Sequence, residues 1–225
     1  MDPQQYYGAK GQYLDEHCEY FSKKQLEEDA DFLIRVLKLS KKDKILDLAC
    51  GHGRHTIELK RRGYDIDGLD FSKFLLKTAE EQATKKNLKI NFYQSNVHNV
   101  KLKKKYDKIF LFFSEFGLFK PDQVLKNINK ILKKGGLFLL DYDNVFRLIR
   151  YLAEHPKAPY TFDFVKMQLK GKNKNYAGVI SYYTIPDLIT LFLRHKLKIV
   201  ATYGNYRKEK LNIRSKRTIL IGKKK

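Results

Sequence analysis

The chain has 225 residues, 43% of them hydrophobic, with 15 Tyr and 15 Phe, which is material for one sizeable α/β core and rules out a disordered tail. No apolar run approaches the roughly 20 residues that cross a bilayer, Met1–Tyr7 lacks a signal-peptide layout, and two cysteines (Cys18, Cys50) make no disulfide framework, so secreted, membrane and zinc-module readings fall away and a cytoplasmic protein is expected. Forty-six basic against 25 acidic residues give +21, but the cations are mostly Lys, so the excess reads first as solvated surface, with an anionic partner as the rival.

In chain order, Leu26, Ala30, Leu33, Val36 and Leu37 recur at helical spacing and predict a helix over Lys24–Leu39. Strand-like runs follow at Lys44–Leu48, Asp65–Leu69, Lys89–Gln94, Lys108–Phe113, Leu137–Asp141, Lys198–Tyr203 and Arg217–Gly222. Helical patterns fill most gaps. Thr56–Arg62 is closed by Gly63, Ser72 caps a helix running to about Lys86, and Pro121 opens one ending near Leu132. Gly135-Gly136 should then break the chain before the next strand. This alternation predicts one doubly wound, mainly parallel sheet.

Between Asp141 and Ile185 the rhythm changes. A helix over Val145–His155 precedes two extended pieces, Phe162–Leu169 and Tyr176–Tyr183, joined by a polar turn at Gly171–Asn175: an inserted helix and hairpin. No helical period links the last two strands, so a hairpin through Gly204–Lys216 should set the final strand antiparallel to the rest. Without repeats or linkers, one domain is expected.

The chemistry concentrates in Ile45–Thr56, where an apolar strand ends in Gly51-His52-Gly53 and a helix opens. Glycines there let backbone approach a nucleotide, and Asp70, at the end of the second strand, can accept from both hydroxyls of a ribose. A dinucleotide fingerprint wants a third Gly where Thr56 stands, and Asp47 would repel a pyrophosphate while accepting from an ammonium or an ordered water. A ligand with an amino-acid tail and no phosphate fits better.

The run Asp47-Leu48-Ala49-Cys50-Gly51-His52-Gly53-Arg54-His55, followed by Gly68-Leu69-Asp70-Phe71-Ser72, resembles the class I S-adenosylmethionine-dependent methyltransferases. It is similar in particular to the small ones whose first motif reads D-L-G-C-G-T-G-R-H. The likeness continues through Tyr106–Ile109, Phe113–Gly117 and Leu132–Asp141, and covers about residues 20–222. It implies a Rossmann-like, seven-stranded, mostly parallel sheet with the last strand antiparallel and a short helix–hairpin insertion after the fifth strand. Residues 1–43 would form an N-terminal helical lid and 44–141 the cofactor-binding core. Residues 142–184 would be the insertion on the acceptor side, and 185–225 the C-terminal helix and last two strands.

By the same resemblance, Gly51 and Gly53 pass under the methionine part of the cofactor, Asp47 reaches its amino group, Asp70 holds the ribose and Phe71 covers the adenine. Asn96, followed by Val97, stands where the family usually has an Asp accepting from the adenine amino group. Leu111 and Phe112 offer backbone groups near the sulfonium end, and Tyr20 bonds the methionine carboxylate. Asn96 and His52 depart from the family pattern.

Blander readings stand beside these. Cys50 is first a small residue under the cofactor, and the six histidines show no metal spacing, so no metal is expected. Phe110, Phe112, Phe113, Phe116 and Phe119 are core first and an aromatic acceptor pocket second. Lys101–Lys105 reads as a solvated loop, while Arg207–Arg217, with six cations, is left open between surface and anion-facing hairpin. Methyl transfer relies on proximity and needs a base only if the acceptor must lose a proton. Glu115 is the first candidate, followed by His17 and Asp141. The reading is a methyltransferase that takes S-adenosyl-L-methionine to S-adenosyl-L-homocysteine and methylates an O or N atom of a small molecule. An RNA- or ribosome-directed methyltransferase is the alternative. A non-catalytic nucleic-acid-binding protein and an NAD-dependent oxidoreductase rank lower.

Overall fold

The computed structural model describes residues 6–8, 11, 22–112, 116–171 and 179–225. Ser22 opens the first helix, α1 (Lys23–Leu37), by accepting from the Gln25 amide, and Lys38 closes it with a left-handed φ of 50°. Then follow β1 (Lys44–Leu48), α2 (Arg54–Arg61), β2 (Asp65–Asp70), α3 (Lys73–Lys85, capped by Ser72) and β3 (Phe92–Gln94). Next come β4 (Tyr106–Leu111), α4 (Pro121–Ile131), β5 (Leu132–Asp143) and α5 (Val145–Glu154). The chain continues through β6 (Tyr160–Asp163), β7 (Gln168–Gly171), β8 (Val179–Ser181), α6 (Ile185–Arg194), β9 (Leu197–Tyr203) and β10 (Arg217–Lys224).

Seven strands form the main sheet in the order β3-β2-β1-β4-β5-β10-β9. All neighbouring pairs are parallel except those of β10, which runs antiparallel to both β5 and β9. Successive side chains of each central strand enter opposite halves of the core, as period-two geometry requires. Ile45, Phe110, Phe112, Leu139, Ile219 and Ile221 pack against α1, while Leu46, Ile109, Leu111, Phe138, Leu140 and Leu220 pack against α4 and α6. The chain builds outward from β1 to β2 and β3 on one side and to β4 and β5 on the other. The switch point therefore lies between β1 and β4, and the crevice at the carboxyl ends of these two strands is where such sheets bind ligands.

Three local expectations change. Gly135-Gly136 does not end the chain's extension, because β5 starts at Leu132 and Gly135 sits inside it with φ of 76°. Tyr106 pairs with Leu132 but Lys108 with Leu137, so the glycines let Lys133–Gly136 bulge out opposite Asp107. The Phe162–Leu169 run is two strands and not one. The Asp163 carboxylate accepts from the amides of Val165 and Lys166, and Met167 takes φ of 50°, which turns the chain between β6 and β7. With β8 the insertion becomes a three-stranded antiparallel sheet. Most of the Gly171–Asn175 turn lies outside the described residues. Finally, only Phe92–Gln94 of the Lys89–Gln94 run joins the ladder.

Candidate active site

After β1 the backbone turns through three left-handed residues, Ala49 (φ 58°), Gly51 (φ 56°) and Gly53 (φ 76°). Gly53 is required by packing as well as by its dihedral. A Cβ there would stand 2.8 Å from the Ala79 Cβ and 3.2 Å from the Phe92 ring, so this glycine brings α2 against α3. Close helix packing is the service that sequence reasoning sought at Thr56; Gly53 performs it, and Thr56 is free for another role. Its hydroxyl donates to Asp47 Oδ2 at 2.7 Å.

Two carboxylates flank the turn. Asp70 is 5% exposed and accepts from the Gly51 amide at 2.9 Å through Oδ2 and from the Ser72 amide at 2.8 Å through Oδ1. It thus pins the glycine turn to β2, and each oxygen keeps a lone pair for a hydroxyl donor. Burial raises its pKa, and those backbone amides oppose the rise. Asp47, 3% exposed, is pushed up to about 7 by burial, with Asp70 adding to the rise and the Thr56 bond and Arg54 charge opposing it. Between them, burial first and then the two carboxylates push the Cys50 thiol well up, which suits a packed small residue and not a nucleophile.

Phe71 follows, half-buried, with Tyr7 edge-on at 5.6 Å. The Ser72 hydroxyl donates to the Tyr7 carbonyl at 2.7 Å while capping α3. An aromatic pair, Tyr6–Tyr7, therefore stands at the Asp70 end of the turn, a contact the sequence reading missed. Asn96 is exposed, and its amide oxygen accepts from the His98 amide at 2.9 Å, opening a short turn over Val97–Asn99. Val97 is buried, and its carbonyl accepts from Asn127.

At the end of β4, Leu111 is wholly buried, and the Phe112 ring packs edge-on to His55 at 5.0 Å and against Tyr206 at 5.1 Å and Phe32 at 6.2 Å. Among the described residues the aromatic set is core, as its first reading has it, and is split between the two faces of the sheet. Phe110 and Phe112 join the α1 side of the core, Phe116 and Phe119 the other side, and Phe113 lies outside the described residues.

Of the buried polar clusters that escaped the sequence reading, one lies beside the turn and one at the end of β5. Asp29, fully buried on α1, accepts from Gln25, lies 3.3 Å from Arg54 and meets His55 Nε2 at 3.1 Å. Burial, reinforced by the Arg54 charge, drives His55 down to about 4 against the pull of Asp29. The ring is therefore neutral at pH 7, and Nε2 must carry the proton that Asp29 accepts. The second cluster joins Asp141 to Arg217 Nε at 2.7 Å and to the Tyr206 hydroxyl at 2.9 Å, with Arg217 also paired to Asp143. Arg217 and Asp143 are register partners across β10 and β5, a pairing that only the sheet reveals.

The model of a methyltransferase domain matches residues 39–205. The chain belongs to the methyltransferase-domain family. It is 33% identical over 111 residues to a ubiquinone biosynthesis O-methyltransferase of Pelagibacter ubique, covering 49% of this chain and 46% of that one. It is 28% identical over 150 residues to a glycine/sarcosine N-methyltransferase of Aphanothece halophytica, covering 64% and 56%. The chain spans about half the length of the curated relatives it matches. Its fold superposes on an S-adenosylmethionine-dependent methyltransferase from Clostridium acetobutylicum with a TM-score of 0.75 at 18% identity, over 94% of this chain and 96% of that one.

This methyltransferase domain is of the S-adenosylmethionine-dependent kind. Its described residues fit that cofactor: a left-handed glycine turn, a clamped carboxylate with spare lone pairs at the end of β2, and a second buried carboxylate beneath the turn. Of the candidate bases, Asp141 is corrected. It is fully buried, and its two oxygens already accept from Arg217 and Tyr206. Glu115, His17 and Tyr20 lie outside the described residues. Among the described residues no three His, Cys, Asp or Glu side chains gather as a metal site, and no helix is long and apolar enough to cross a membrane.

Proposed function

We propose that this methyltransferase alkylates an oxygen or nitrogen atom of a small-molecule acceptor. The observation that carries the methyl-donor half of this reading is the pair of buried carboxylates, Asp47 and Asp70, set on either side of one left-handed glycine turn at the sheet's switch point. When bound, S-adenosylmethionine supplies an electrophilic methyl carbon: the acceptor lone pair forms the new bond to it as the carbon–sulfur bond breaks, the electron pair stays on sulfur, and the acceptor proton passes to a base or to water.

The chain's own residues do the positioning. Asp70 accepts from ribose hydroxyls while holding Gly51, Asp47 accepts from the ammonium, Phe71 and Tyr7 cover the base, and Leu111 and Phe112 form the wall at the reacting end. Asn96 contributes an amide carbonyl, and Tyr20 a hydroxyl for the carboxylate. Glu115, just past β4, is proposed as the base, with His17 as the alternative. We read residues 1–43 as the cover, 44–141 as the cofactor core, 142–184 as the acceptor-side insertion and 185–225 as the closing elements, in a cytoplasmic enzyme.

The named relatives act in ubiquinone biosynthesis and on glycine or sarcosine, which supports a small acceptor. The +21 charge favours RNA as the rival acceptor. Incubation with radiolabelled S-adenosylmethionine and a cognate lysate separates them: label in the small-metabolite fraction supports the proposal, and label confined to RNA overturns it.

A further inference from the structure

Because β9 runs antiparallel to β10, and β10 antiparallel to β5, the loop between β9 and β10 leaves the sheet at the same edge as the glycine turn. Its root is built into the reacting end. The Tyr206 ring lies against Phe112, its hydroxyl donates to Asp141, and Arg217 closes the loop on the same carboxylate.

The loop is also braced along its length. The Gly204 amide donates to the Glu209 carbonyl at 2.9 Å, and the Arg217 amide to the Gly204 carbonyl at 3.0 Å. Asn205 Oδ1 accepts from the amides of Arg207 and Glu209, and the Asn212 amide donates to Ser215 Oγ. Asn144, at the start of α5, donates to the carbonyls of Asn212 and Ser215. A loop held this way keeps the roots of its side chains in place, so their charge is not spread further by motion of the backbone.

What this frame displays is almost all of one sign. Arg207, Lys208, Lys210, Arg214 and Lys216 are exposed, with Glu209 the one acidic residue between them. Among the described residues none of these five cations makes an ion pair within 4.0 Å, whereas Arg54, Arg61, Arg62, Arg150, Arg194 and Arg217 all do. Arg207 and Arg214 thus keep their planar donor forks unspent on a loop whose root packs at the reacting end, and such forks match carboxylate and phosphate oxygens. Cations that neutralise no protein carboxylate raise the local concentration of an anion at the mouth of the site.

We propose that the β9–β10 loop binds an anionic group, a carboxylate or a phosphate, on the small acceptor, with Arg207 and Arg214 as its principal donors. This rests on the methyltransferase reading, and it narrows the acceptor to an acid or a phosphorylated metabolite.

The probes are citrate and inorganic pyrophosphate, titrated at constant ionic strength into the full chain with the arginine Nε–H groups followed by NMR. Saturating shifts at Arg207 and Arg214, absent at Arg35, are expected, with the better probe telling carboxylate from phosphate. The Arg207→Gln, Arg214→Gln double change should raise the midpoint at least about tenfold, the size of one lost charge-assisted hydrogen bond. Calorimetry should show unchanged S-adenosylhomocysteine affinity. Shifts linear in anion concentration, or equal at Arg35, overturn the proposal. So does a short single-stranded RNA that saturates these signals while neither small anion does. Loss of S-adenosylhomocysteine binding in the parent protein would instead sink the methyltransferase site, and the anion titration reads the loop independently of it.

Discussion

The hydroxyl of Thr56 donates to the carboxylate of Asp47 across 2.7 Å, so the residue that breaks the dinucleotide glycine pattern is the one that orients the acid beneath the turn. That acid sits at about 7, chiefly through burial, so it is half-protonated near neutral pH in the free protein. A carboxyl whose folded pKa lies above its unfolded value of about 3.9 makes the folded state bind more protons between those two values, and the free protein loses stability as pH rises through that window. An ammonium ligand needs the ionised form, so binding works in the opposite sense. S-adenosylhomocysteine affinity should rise up to about tenfold per pH unit between about pH 5.5 and about pH 7, level off above, and release a proton on binding. Calorimetry in buffers of different ionisation enthalpy checks this, and Asp47→Asn should flatten the profile while raising the melting temperature at pH 8.

Asp70→Asn tests the clamp. Asn offers one acceptor oxygen where Asp70 uses two, so either the Gly51 or the Ser72 amide faces an NH₂ group. A loss of about 1–3 kcal/mol in denaturant unfolding is expected, with S-adenosylhomocysteine binding weakened at least about tenfold. Unchanged affinity in calorimetry removes Asp70 from the ribose.

Arg217→Met leaves Asp141 buried without its guanidinium. The expected cost is about 3–5 kcal/mol, since a buried charge then lacks its partner. Adding Asp141→Leu should recover a large part of it. Urea unfolding of the single and double variants reads the difference, and equal instability in both would show that Arg217 acts through Asp143 alone.

Backbone strain in the turn gives opposite signs at two neighbouring positions. Ala49 holds φ of 58° with a Cβ, so Ala49→Gly should stabilise the protein by about 0.5–1 kcal/mol after the entropic cost of glycine. Gly53→Ala adds a Cβ 2.8 Å from Ala79 at φ of 76° and should cost about 1–3 kcal/mol. Thermal unfolding of the two variants decides both signs.

The alternation of strand and helix and the antiparallel last strand were legible because period-two apolar runs alternate with capped helices, and because Gly204–Lys216 carries no helical period, whereas the order of the strands in the sheet was not. The two flanking carboxylates were legible as well, since Asp47 and Asp70 stand at strand positions fixed relative to Gly51 and Gly53. Contacts made across the sequence were not. Asp29 meets Arg54 and His55 only once α1 packs on α2, and Arg217, left open in sequence between solvated surface and anion-facing hairpin, finds its carboxylate partners only when β10 lies beside β5. Phe162–Leu169 looked like one strand because its apolar residues continue through the turn that Asp163 makes.

The position of β10 has a consequence for synthesis. It lies between β5 and β9, yet it is made after both, so until residues 217–224 have left the ribosome the nascent chain carries two open strand edges in place of a finished sheet. The central and partner-rich place of this late strand makes completion of the sheet wait on the last of its strands to be made, and chains interrupted before it are the species most exposed to edge-to-edge aggregation. Chains shortened before Arg217 should therefore need a chaperone or form inclusion bodies, however complete their glycine turn.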